Sequence, residues 1–192
     1  MEKTIYKITI EFITDVLGSQ PQRNIVTEYI NPNLEDDEYE TLPEKLEKAT
    51  TAFHKVDGQP VFFDYQIKGF LKEAAKVCNG LKLLEVKALR SKVTDHLFVY
   101  PRIIPLQIPE DEEITWLERP LRAETAQGPR VALARSEQLP KGTKFDVELH
   151  VLDGSPLDED ILRLLLSYGE DKGIGQWRNG GHGRFTFILH KA

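Results

Sequence analysis

Between positions 173 and 183 five glycines (Gly173, Gly175, Gly180, Gly181 and Gly183) frame Gln176, Trp177, Arg178 and His182, with Arg184 immediately after. Glycine lets a backbone take positive φ and lets another molecule approach it closely. An arginine guanidinium is a planar fork of donors matched to phosphate. An indole or imidazole among such cations offers a face to a nucleobase, a contact worth roughly 1–3 kcal/mol per base. The chemistry that fits this mixture is retention of a polyanion, with Arg178 and Arg184 on phosphates and Trp177 or His182 on a base. The competing reading is a tight connection into a strand with Trp177 packed on the core, but a purely structural turn has no need of cations.

Three further groups carry candidate chemistry. Lys68 and Lys72 stand one turn apart near the start of a helix, as phosphate contacts or as an ordinary solvated face. Arg119, Arg122, Arg130 and Arg135 fall in 119–135, where Pro120, Gly128 and Pro129 suggest an extended arm over a nucleic acid or a neighbouring subunit, or a plain surface loop. His54 and His182 both lie beside loops or glycines. As a general acid and base they would cleave RNA through its 2′-OH, and two separated histidines are the whole of that case. No metal-ligand spacing occurs, and no cofactor is expected. The glycines precede a strand and not a helix, which removes the phosphate-loop and dinucleotide fingerprints.

Composition sets the frame. The chain has 192 residues, 40% hydrophobic and 29% charged, with a formal net charge of −6. That balance argues against bulk, nonspecific attraction to nucleic acid. The charge is uneven, however. Acidic runs occupy 35–47 and 110–118, six cations fall in 119–144, and no carboxylate side chain follows Lys172. Cys78 is the one cysteine, which excludes an internal disulfide and suits a reducing, cytoplasmic setting. No apolar run reaches membrane-span length, and the start passes straight into a strand pattern without a signal peptide, so no membrane partner is expected.

The elements that must position these residues follow from periodicity. Alternation of Tyr6, Ile8, Ile10 and Phe12 with polar neighbours predicts a strand over 3–14. A turn-rich loop, a short helix near 24–30 and a polar, acidic excursion over 31–50 come next. Asp57-Gly58 predicts a hairpin. Asp64 is placed to cap a helix over 65–79, with Ile67, Phe70, Leu71, Ala74, Ala75 and Cys78 inward and Gly80 at its end. A second amphipathic piece covers 81–92. Short strands at 97–100 and 103–108 are interrupted by prolines, which confine them to edges or bulges. Residues 130–138 and 143–152 read as a hairpin about Pro140-Lys141-Gly142. A helix over 157–169 and a strand over 184–190 complete the chain. With 15–64 and 81–129 taken as insertions the order is βαββαβ, an α+β ferredoxin-like plan with both helices on one face of an antiparallel sheet.

Three segments carry a family resemblance. The stretch from Gly58 through Pro60, Asp64, Lys68 and Gly69 to Ala74 looks like the proline, strand, turn, Lys-Gly, helix signature of the RAMP superfamily (repeat-associated mysterious proteins). Pro140-Lys141-Gly142 running into Phe145 is similar to that family's hairpin into its third core strand. Gly173 to Phe185 resembles its C-terminal glycine-rich loop. The resemblance implies one RAMP-like domain over 1–192, of the backbone type that coats guide RNA in CRISPR effector complexes, and it brings Lys68 to the border of bound RNA. Two positions depart from the pattern. Asp15 lies too near the first strand to match the family's catalytic aspartate, so cleavage is not implied, and Phe63-Asp64-Tyr65-Gln66 replaces the expected Pro-Gly-Ser-Ser.

The expected function is binding of single-stranded RNA or DNA without catalysis. The surfaces are the open sheet face, the arm and the glycine-rich loop, the last through Gly173, Gly175, Gln176, Trp177, Arg178, Gly181, His182, Gly183 and Arg184. Expected partners are the nucleic acid, copies of the chain in a filament, or CRISPR effector subunits. The alternatives are a protein-interaction module, phage-borne and anti-defence in role, that joins or blocks a CRISPR assembly, and a metal-independent endoribonuclease.

Overall fold

A strand whose alternate residues are apolar must bury one face, and Lys3–Phe12 (β1) does so with Tyr6, Ile8, Ile10 and Phe12. A computed structural model describes residues 1–21, 48–125 and 128–192. The helix expected near 24–30 and the acidic run 35–47 lie outside the described residues.

β1 pairs antiparallel with Lys144–Leu152 (β11) on one side and Phe185–Lys191 (β12) on the other. Leu97–Tyr100 (β7) pairs with the far edge of β11, giving the order β12-β1-β11-β7. Two helices cover the sheet face that carries Phe145, Val147, Leu149 and Val151. These are α1 (Asp64–Gly80) and α3 (Glu159–Lys172), with α2 (Leu89–His96) between α1 and β7. The first and third core strands are central and the second and fourth are at the edges, which is the ferredoxin-like arrangement.

The second core strand is β7, not 130–138 as the alternation predicts. Residues Gly128–Leu139 (β10) leave the core sheet altogether. They pair with Thr115–Thr125 (β9), Lys48–Ala52 (β4) and Val16–Leu17 (β2), and the short Gln20–Pro21 (β3) extends β4. The expected hairpin of 130–138 with 143–152 is therefore absent. At Pro140–Thr143 the chain passes from one sheet to the other, with Gly142 at φ +84. The arm at 119–135 is likewise a paired two-stranded ribbon. Pro120 is tolerated there because β9 is an edge strand whose only described neighbour is β10. The segments added to the ferredoxin-like plan thus run from β1 to α1 and from β7 to β11.

A third sheet joins His54–Val56 (β5), Gln59–Phe63 (β6) and Ile103–Pro105 (β8). Asp57 and Gly58 both have positive φ at the β5–β6 turn, as Asp-Gly hairpins require. Phe63 precedes α1, and its N–H donates to Gln66 Oε1, while Asp64 opens the helix and places its charge at the positive end. Asp158 caps α3 by accepting from the Ile161 N–H. The helix continues past Gly169 to Lys172. A Cβ at Gly169 would meet the Phe185 ring at 2.0 Å, so glycine there serves packing and not termination.

Phe12 meets Phe62, Phe145 and Phe185 at centroid distances of 6.3, 5.8 and 6.4 Å. Each such buried ring contributes on the order of 1.5–3 kcal/mol. The cluster ties the β6 hairpin, the core sheet and the strand after the glycine-rich segment into one hydrophobic core.

Candidate nucleic-acid interface

The glycine-rich segment leaves α3 at Gly173, whose φ is +74 and whose N–H donates to Gly169 O. It is pinned at both ends. The Ile174 N–H donates to Gly183 O at 2.9 Å, the Gly183 N–H to Asp15 O at 2.8 Å, and the Gln176 N–H to Leu17 O at 3.0 Å. Gly183 combines φ +73 with a backbone contact that leaves no room for a side chain: an added Cβ would lie 1.8 Å from Ile174 O. Asp15 also fixes the region through its carboxylate, which accepts from Gln138 Nε2 and the Lys141 N–H. It is fully engaged as a clamp.

Between the pins, Trp177 takes φ +52 and opens a short 3-10 turn, Arg178–Gly180. Its indole lies nearly parallel to the His182 ring, 5.2 Å between centroids with a 17° tilt. Arg119 reaches the same indole from β9, with Cζ 3.5 Å from the ring centroid. Register places Arg119 opposite Ala134 on β10. Its side chain is 8% exposed, Nε and Nη1 have no hydrogen-bond partner among the described residues, and burial lowers the guanidinium pKa. Three residues singled out from sequence, Arg119, Trp177 and His182, therefore form one cation–aromatic stack, although the arginine and the rings belong to different segments.

The other candidates separate into distinct environments. Arg178 turns inward, where Nη1 meets Glu73 Oε2 at 2.9 Å. Tyr168 Oη donates to the other Glu73 oxygen, and burial, reinforced by the Glu73 charge, raises the phenol pKa. This pair borders a pocket of about 210 Å³ with Ser19, Gln66, Phe70, Ile174 and Gly175. Arg184 is exposed and has no ion-pair partner among the described residues, while its N–H is held by Thr14 Oγ1. Arg135 is occupied on the ribbon, 3.4 Å from Glu118 and over the Trp116 ring at 4.4 Å. Arg122 and Arg130 lie on the facing strands β9 and β10.

Lys68 is turned toward β7 and away from the loop, and Lys72 lies close enough to act on its charge. Lys68 donates to Leu97 O and covers the Phe98 ring, capping the backbone of edge strand β7. Its pKa is lowered to about 8, first by burial and then by the neighbouring charge of Lys72. Unfolded, this amine titrates near 10.5. Between the two values the unfolded chain binds more protons, so stability rises with pH across that window. Wild type is expected to gain on Lys68→Met in urea midpoint between about pH 7 and 10.5. A constant difference between the two would show that the amine is solvated.

His54 packs edge-on against Phe63 at 4.8 Å, and its Nε2 lies 3.3 Å from Tyr65 Oη. Burial lowers its pKa. It shares no aromatic or hydrogen-bond partner with His182 among the described residues. The open sheet face carries ion pairs of its own. Lys7 pairs with Glu148 at 3.9 Å and Lys144 with Glu11 at 3.0 Å, so its charges are largely matched internally. Sequence reasoning did not select Glu73, Gln66 or Ser19. Gln66, Phe70 and Glu73 share one side of α1, but the loop they face is more than a hundred residues away in the chain.

Among the described residues no helix is long and apolar enough to cross a membrane, and no cluster of three or more His, Cys, Asp or Glu side chains is arranged for a metal.

No protein-family model and no curated protein sequence matches the chain. Its fold is similar to those of chains from two CRISPR complexes. One similar chain comes from a type IV-B CRISPR complex, with a TM-score of 0.50 and 12% identity over 97% of this chain and 90% of that one. Another comes from a type III-B Cmr-β complex bound to cognate target RNA, with a TM-score of 0.51 and 12% identity over 99% of this chain and 61% of the other.

Proposed function

We propose that the chain is a single RAMP-like unit that binds single-stranded polynucleotide as a CRISPR-complex type of subunit and performs no chemistry on it. The observation that carries this reading is the Arg119–Trp177–His182 stack, which joins a buried guanidinium, its Nε and Nη1 without a hydrogen-bond partner among the described residues, to an indole 39% exposed. Exposed Arg184 beside it supplies a second cation for a sugar–phosphate chain. The fold supports the assignment, because the similar chains are parts of CRISPR complexes and one of those complexes holds RNA. The pinned glycines would hold the loop's ends in place while the backbone between them meets the ligand.

Labelled single-stranded RNA and DNA titrated with the protein over a salt series test the proposal, together with the nucleic acid extracted from the purified protein. Absence of binding to either strand at low salt rejects it. Glu73 provides a finer check, since it neutralises Arg178 at the rim of the site. Glu73→Gln is expected to tighten RNA binding at low salt and to steepen the dependence of log K on log salt by about 0.7, the increment for one more neutralised phosphate on a single strand. An unchanged slope would mean that Arg178 stays out of reach of the ligand.

The net charge of −6 and the internally paired sheet face favour a second reading, a protein-interaction module that joins or blocks a CRISPR assembly. Co-purification of a protein partner free of nucleic acid would select it.

A further inference from the structure

Charged side chains in a protein interior are as a rule paired. Arg119 departs from that rule: it is buried, and Nε and Nη1 are without a hydrogen-bond partner among the described residues. Its compensation is the π face of Trp177, which attracts a cation but accepts no conventional N–H hydrogen bond. The covering ring is itself part of the surface, so the guanidinium lies directly beneath the glycine-rich loop.

The stretch above it is built to yield. Gly180 and Gly181 close the 3-10 turn through two main-chain hydrogen bonds only, to Trp177 O and Arg178 O. Gly181, at φ +87, has nothing within 4 Å of where a Cβ would stand. The anchoring bonds of Ile174, Gln176 and Gly183 all lie outside the turn. The main chain of 177–182 makes no hydrogen bond outside the turn among the described residues. Lys172 Nζ donates to Asn179 Oδ1 at 2.8 Å, however, and Arg178 pairs with Glu73 at 2.9 Å, so the turn shifts as these side-chain ties exchange while both ends of the loop stay fixed.

We propose that Arg119 is a stored anion receptor. A phosphate of a single-stranded polynucleotide arriving at the Trp177–His182 segment draws the guanidinium from beneath the indole, and the vacated ring face receives a base. One residue then serves two successive contacts, and anion and base bind cooperatively. The inference rests on the polynucleotide-binding reading and adds the order of events within it.

Arg119→Met tests it by keeping an unbranched apolar stem against Trp177 while removing the charge and the unsatisfied N–H groups. The expected result is a melting temperature equal to wild type or up to about 4 °C higher. It comes with at least tenfold weaker binding of single-stranded RNA at 0.1 M salt and a salt slope shallower by about 0.7. Unchanged RNA affinity overturns the proposal, and so does a fall in melting temperature that accompanies the loss of binding, which would mark the guanidinium as a structural prop.

A second measurement keeps the guanidinium in place. In a Trp116→Phe chain Trp177 is the single tryptophan. Inorganic tripolyphosphate, an anion without bases, should increase acrylamide quenching of its emission by uncovering the ring. An oligouridylate should decrease it by covering the ring with a base. No response to tripolyphosphate overturns the latch even if the oligonucleotide binds. A response to tripolyphosphate without oligonucleotide binding leaves the latch standing and overturns the polynucleotide reading instead.

Discussion

Gly183→Ala should lower the melting temperature by about 6–12 °C and abolish binding at the glycine-rich loop. Two costs combine at this position. An L-residue in the left-handed region loses about 1–2 kcal/mol, and an alanine Cβ would stand 1.8 Å from Ile174 O, an immovable backbone atom. Relief requires opening the Ile174–Gly183 and Gly183–Asp15 hydrogen bonds that seat the loop on the core. A total near 3 kcal/mol follows, which a domain of this length registers as about 2–4 °C for each kcal/mol. Gly181→Ala is the matched comparison, because it has the same backbone sign but open space around it. It should cost only about 1 kcal/mol. Melting temperatures of the two variants within 2 °C of each other would mean that the pinch at Gly183 does not hold the loop.

Trp177→Ala is expected to weaken single-stranded RNA binding by about 5- to 150-fold at 0.1 M salt, the equivalent of roughly 1–3 kcal/mol for one stacked base. Its effect on stability should be smaller, since the ring is 39% exposed and packs against Gly180, His182 and Arg119 at the surface. Trp177→Phe retains an aromatic face and should recover most of the affinity. Fluorescence anisotropy on a short labelled strand separates the three proteins. Binding by the alanine variant within twofold of wild type would remove the indole from the interface.

Much of the core was legible because its signals are local. Strand β1 and helix α1 announce themselves by periods of two and of 3.6, and the buried residues of α1 are the six that its periodicity selects. The glycine-rich loop was visible as composition. What failed was pairing. Residues 130–138 alternate as well as any core strand, whereas β7 is four residues long and ends at a proline. β11 takes β7 through contacts distant in the chain, Val151 opposite Leu97, whereas β10 folds straight back on β9, Gly128 opposite Thr125. Pro120 and Gly128 read as loop signals because nothing local reveals that β9 is an edge strand, where a missing N–H costs nothing. Within the site, residues adjacent in sequence (Trp177, Arg178, His182) were found together. The partners that decide their state, Arg119 for the indole and Glu73 for Arg178, arrive from other elements.

The clamp that seats the loop joins Thr14 to Arg184, residues 170 apart in the chain. Loop-closure entropy must be met before such a contact rewards the fold. A ribosome-bound nascent chain that already contains β1, α1 and the ribbon still has no seated glycine-rich loop, because the clasp forms only after β12 has been made and paired with β1. If the chain binds polynucleotide as proposed, one arrested before β12 would lack the seated loop and be silent toward that ligand, even though three of the four core strands had been made.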